Sequence, residues 1–92
     1  MVLVINDDKV SDVEAYLPLA RAFAEDSVKN EKGCRSMRVC VDPETEVRVV
    51  YISEWDSEED FKASVGGEIF NRHIPAMGAY FLGAKDTILQ IK

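Results

Sequence analysis

His73 is the only histidine of the chain and Trp55 the only tryptophan. A histidine has the one side chain whose ordinary pKa, about 6.5, suits proton transfer near neutrality. A tryptophan offers a broad apolar face on which a flat molecule can stack, although a buried tryptophan commonly packs as core with its N–H satisfied. Tyr51 and Tyr80 add hydroxyl donors, or else amphipathic packing. The remaining groups point away from other chemistries. One histidine with no cluster of thiols or carboxylates around it is too little for a metal site. No glycine-rich phosphate loop is present. Cys34 and Cys40 lack a histidine partner in sequence and read as core or interface thiols rather than nucleophiles. Arg38 could hold an anion, but a salt bridge on a half-exposed strand is the commoner fate of such a residue.

These side chains are carried by 92 residues, enough for one domain over 1–92. A chain of this size buries only about 60–65% of its unfolded surface, so association with a second copy is a natural source of further stability. An apolar fraction of 47% fits a packed globule. Seventeen acidic residues against eleven basic ones give a net charge of −6, which opposes nucleic-acid binding. No apolar run approaches the ~18 residues of a membrane span, and the opening Met1–Ile5 run lacks the features of a signal peptide. Cys34 and Cys40, six apart on one strand, are too distant to bridge. Free thiols and an interspersed surface charge suit a cytoplasmic location.

Periodicity places the elements. Val2–Ile5 is an apolar run that reads as a strand, ended by Asn6-Asp7-Asp8 as a turn. Ser11-Asp12-Val13-Glu14 reads as a capping box, followed by a helix with Leu17, Ala20, Phe23 and Ala24 on its inner face. Pro18 predicts a kink or a restart. Gly33 is placed to end the helix in the left-handed conformation. Cys34–Asp42 and Glu46–Trp55 form a hairpin about the turn Asp42-Pro43-Glu44-Thr45. Both of its faces carry large apolar groups, so both require a cover. Asp56 or Ser57 caps a short helix stopped by Gly66-Gly67. A third helix starts near Glu68 and carries Phe70, Ile74, Met77 and Phe81 on one stripe, with Pro75 in its middle. Gly83 ends the helical region, and Thr87–Ile91 closes the chain as a strand. The fold class is α+β: a ferredoxin-like split β-α-β, in the order β-α-β-β-α-α-β, with an antiparallel sheet.

The order of elements, Gly33-Cys34 after the first helix, Glu54-Trp55 at the end of the third strand and Phe70 after a helix break resemble the antibiotic biosynthesis monooxygenase (ABM) domain. This is a group of dimeric α/β barrels with quinol monooxygenase-like and haem-degrading members. The resemblance runs from Val2 to Ile91 and implies a homodimer with sheet packed on sheet, which would cover the second face of the hairpin. It also implies a pocket between sheet and helices in each protomer. Some members oxidise phenols or quinols with O2 and no bound cofactor, because an ionised phenol can itself pass an electron to oxygen. Such a site needs an aromatic wall, hydrogen-bond donors and a base.

On this resemblance His73 and Asn6 are the candidate catalytic residues, and Trp55, Tyr51, Phe70 and Met77 the candidate substrate-binding ones. The bland alternatives are a solvent-facing or capping role for His73 and a plain turn at Asn6. The haem-degrading branch pairs a strand-one asparagine with a tryptophan and a histidine farther along. Asn6 matches, but the other positions fall on Ser64 and Ile74, which argues against haem degradation. Many family members carry a histidine near position 64, so Ser64 departs from that pattern too. The expected activity is oxidation of a small aromatic or quinol-like compound by O2 without cofactor or metal, and without nucleic-acid or membrane partners. The alternatives are a non-catalytic small-ligand-binding or stress-response dimer, and a small-molecule isomerase, for which few cationic groups are at hand.

Overall fold

A computed structural model describes all 92 residues, Met1 to Lys92. The elements are β1 (Val2–Val10), α1 (Val13–Asn30), β2 (Cys34–Val41), β3 (Arg48–Trp55), α2 (Glu58–Ser64), α3 (Glu68–Met77) and β4 (Phe81–Gln90). The strands form one antiparallel sheet in the order β2-β3-β1-β4. The α+β ferredoxin-like expectation therefore holds.

Local chemistry sets the helix boundaries. The Asp12 carboxylate accepts from the Ala15 amide and caps α1, so the cap falls one residue later than the Ser11 box predicts. Pro18 lies inside α1, which is assigned helix without interruption from Val13 to Asn30. Gly33 takes φ +83°, and a Cβ there would lie 2.7 Å from the Cβ of Asp60. Both the backbone sign and the close approach of α2 therefore call for glycine. Ser57 caps α2 by accepting from the Asp60 amide.

Two strands are longer than the sequence pattern indicates. Asn6, Asp7 and Asp8 do not turn; β1 continues through them to Val10. Each polar group finds a partner or a place in the sheet. Asn6 bonds Asp86, Asp7 takes two hydrogen bonds from Arg48, and Asp8 pairs in register with Val49 and Ala84. β4 likewise begins at Phe81 rather than Thr87, with Gly83 inside it, because the extended β1 offers a longer edge to pair with. The hairpin matches its reading closely, with Asp42 accepting from the Glu44 amide in the turn.

The helices cover one face of the sheet. Val49, Tyr51, Ser53 and Trp55 of β3 face them and are buried. Two core clusters form there, one around Val10, Tyr16, Ala20, Val49, Tyr51 and Met77, the other around Val2, Val4, Cys34 and Trp55. The opposite face carries Leu3, Ile5, Val50 and Ile52, all only partly buried, beside the exposed Leu89. No helix is long and apolar enough to cross a membrane.

Candidate active-site cavity

A cavity of about 370 Å³ lies between the sheet and the helices and touches both core clusters. That volume falls at the small end of the ~300–1,000 Å³ typical of small-molecule sites. Sheet register builds its floor. Tyr51, Asn6 and Asp86 stand side by side on β3, β1 and β4, and Asp8 follows Asn6 two residues along the same face of β1. Trp55 closes one part of the wall. It is 1% exposed, donates its indole N–H to Ser53 Oγ at 2.9 Å, and meets the edge of Phe61 at a centroid distance of 5.6 Å. Phe70, Ile74 and Met77 of α3 and Phe23 of α1 supply further apolar surface.

Of the residues singled out from sequence, Asn6, Tyr51, Trp55, Phe70 and Met77 all line this cavity. Ser64 and Ile74 line it as well. His73 does not. Its Nε2 lies 2.8 Å from Asp26 Oδ2, and its ring meets the edge of Phe23 at 5.6 Å, which leaves Phe23 between the imidazole and the cavity. Arg72 shares the same Asp26 carboxylate. Trp55 is thus both a core residue with a satisfied N–H and a cavity wall. The thiol of Cys34 is pushed up to about 11, chiefly by burial and then by the charge of Glu31, which suits a packed thiol rather than a nucleophile. No group of three or more His, Cys, Asp and Glu side chains is placed to hold a metal ion.

Sequence reasoning did not single out the buried carboxylate of the cavity wall. Asp8 is 8% exposed and lines the cavity. Burial first, then the charge of Asp86, raises its pKa from 3.8 to about 6, and the Tyr16 hydroxyl works in the opposite direction. The Tyr16 and Tyr51 hydroxyls are 2.7 Å apart. Burial also pushes Tyr16 up to about 12 and Tyr51 higher still, so both remain neutral hydrogen-bonding groups. Asp8, Tyr16 and Tyr51 therefore form a buried polar row in an otherwise apolar chamber, with a carboxylate that is ionised at neutral pH yet more basic than usual. The sequence signal was alternation: Val2, Val4, Asn6, Asp8 and Val10 share one face once β1 is allowed to run its full length.

This architecture, a four-stranded antiparallel sheet with helices on one face and a chamber between them, is the ferredoxin-like α+β class. The family model described as antibiotic biosynthesis monooxygenase matches residues 7–76, and the chain belongs to that family. Among solved structures it is similar to a crystal structure described as an antibiotic biosynthesis monooxygenase, at 23% identity over 100% of this chain and 99% of that one, with a TM-score of 0.83. It is similar to SnoaB, a cofactor-independent oxygenase from Streptomyces nogalater, at 14% identity over 99% and 92% of the two chains, TM-score 0.84. PA3566 from Pseudomonas aeruginosa aligns at 19% identity over 99% and 93%, TM-score 0.82. At these identities the likeness establishes the fold. No curated protein matches the sequence.

Proposed function

We propose that the chain is a cofactor-independent oxidoreductase that binds a small phenol or hydroquinone in the cavity and lets it react with O2. The observation that carries this reading is the placement of Asp8, with its raised pKa, in an aromatic-walled chamber beside the Tyr16–Tyr51 hydroxyl pair. Asp8 takes the phenolic proton, and Tyr51 with Asn6 orients the substrate oxygen. Trp55, Phe70 and Met77 exclude water and hold the ring. The resulting phenolate is electron-rich and passes an electron to O2. A hydroquinone then ends as a quinone with H2O2 released. A phenol with a free para position ends as a quinone with one oxygen atom incorporated and the other lost as water. The reading gives the proton to Asp8 rather than His73, which stands behind Phe23.

The same reading takes the protein as a homodimer. Leu3, Ile5, Val50, Ile52 and Leu89 form an apolar sheet face that the chain's own helices leave bare. A second copy packed sheet to sheet would cover it. The activity is tested by recording oxygen uptake on a panel of hydroquinones and naphthols. Asp8→Asn should reduce turnover by about 10²–10⁴-fold, the range that a positioned proton-transfer group supplies. Equal background uptake by wild type and variant refutes the catalytic reading. Binding of the same compounds without product points instead to a ligand-binding dimer.

A further inference from the structure

The distribution of charge in the cavity restricts what can enter it. Nineteen residues line the chamber; Asp8, Glu31 and Asp86 are carboxylates, and none is lysine, arginine or histidine. The acids stand at opposite ends. Asp8 lies by Tyr16 in the first turn of α1, and Asp86 holds Asn6 nearby through a 2.8 Å hydrogen bond. Glu31 sits at the C-cap of α1, where the helix's own carbonyls add partial negative charge. Fifteen residues of helix separate Tyr16 from Glu31, about 22 Å at ~1.5 Å per residue. Several of the chain's cations are engaged with acids outside the cavity. Arg48 pairs with Asp7 and Asp42, Arg72 with Asp26 and Glu68, Arg35 with Asp56, and Lys62 with Glu58.

A ligand that carries a carboxylate or phosphate would therefore leave water and meet like charge at whichever end received it, with no cation in the wall to compensate. A neutral phenol meets no such repulsion, and giving its proton to Asp8 leaves the total charge of the site unchanged. An ammonium group gains a carboxylate partner. We propose that the cavity selects neutral and cationic aromatic molecules, such as phenols, hydroquinones and arylalkyl amines, and rejects aryl carboxylates and aryl phosphates. This selection rests on the reading of the chamber as an aromatic-ligand site and does not require turnover.

Three probes of one shape and different charge test it by isothermal titration calorimetry at pH 7.5: 2-naphthalenemethanol, 2-naphthylmethylammonium and 2-naphthoate. The alcohol and the ammonium should bind, and the carboxylate should bind at least about tenfold more weakly than the alcohol. In the double variant Asp86→Asn, Glu31→Gln that gap should narrow by about threefold or more. Naphthoate binding as tightly as the alcohol overturns the charge selection while leaving the aromatic chamber intact. A gap unchanged in the double variant overturns its assignment to these side chains. If none of the three probes binds, the aromatic-site reading falls and the selection with it.

Discussion

Asp8→Asn should stabilise the protein while removing the proposed turnover. The aspartate is buried among apolar side chains and beside Asp86, and its pKa rises from 3.8 to about 6. In the unfolded chain it ionises near its ordinary value. Between about pH 4 and pH 6 the folded state therefore binds more protons than the unfolded state, and this group's contribution to stability falls as pH rises through that window. Above pH 6 the full penalty is present. Two pKa units at about 1.4 kcal/mol each give an upper figure near 3 kcal/mol. Partial contact with the cavity solvent reduces it, so about 1–3 kcal/mol is expected. Asparagine has nearly the same shape and carries no charge. At pH 8 the variant should therefore melt several degrees above wild type, at about 4–8 °C per kcal/mol for a domain of this size. At pH 4.5, where the wild-type carboxyl is protonated in the fold but still mostly ionised in the unfolded chain, the difference should shrink to about a third. Asp7, Asp26 and Asp42 have lowered pKa values and lose stabilising interactions as pH falls, but they are common to both proteins and cancel in the comparison. Chemical denaturation followed through Trp55 fluorescence at the two pH values measures the difference. A variant less stable than wild type at pH 8, or a gap that does not depend on pH, refutes the reasoning about Asp8.

Two further outcomes follow from where side chains lie. His73→Ala removes the contact with Asp26 and the edge packing on Phe23, so it should lower the melting temperature modestly. Its oxygen uptake should stay within about tenfold of wild type; a loss of 10²-fold or more would return the proton-transfer role to the histidine. Ile52→Glu places a charge on the uncovered sheet face, so light scattering should shift from a two-chain to a one-chain mass, whereas an unchanged mass at micromolar concentration argues against that face as the dimer contact.

The sequence made most of the architecture legible. Alternation in Cys34–Val41 and Arg48–Trp55, the turn at Asp42, the cap at Ser57 and the left-handed Gly33 are local signals, each fixed by neighbours a few residues away. Asn6-Asp7-Asp8 misled because a polar triplet ends a strand only when its polar groups have no partners across the sheet. Here Asp86, 80 residues on, and Arg48, 41 residues on, supply them. The same long-range pairing starts β4 six residues before the expected position.

The site divides along the same line. Periodicity puts Tyr51 and Trp55 on one face of a strand and Phe70 and Met77 on one helix stripe, and the family resemblance suggests that the two sets face a common pocket; all four line the cavity. Asp8 and His73 were not legible in this way, because proton chemistry depends on environment. One carboxylate in seventeen acidic residues becomes basic only when burial and a neighbouring charge act on it, and both arise when β1, β4 and α1 come together. The lone histidine looked suited to the task by residue type, but the packing of α1 against α3 set Phe23 in front of it and Asp26 beside it. By itself the sequence determined the order of elements and the apolar faces of strand and helix, which rest on local periodicity, and its motifs carried the resemblance to the family. Only the tertiary structure decided which titratable group reaches the cavity, since that rests on contacts between residues far apart in the chain.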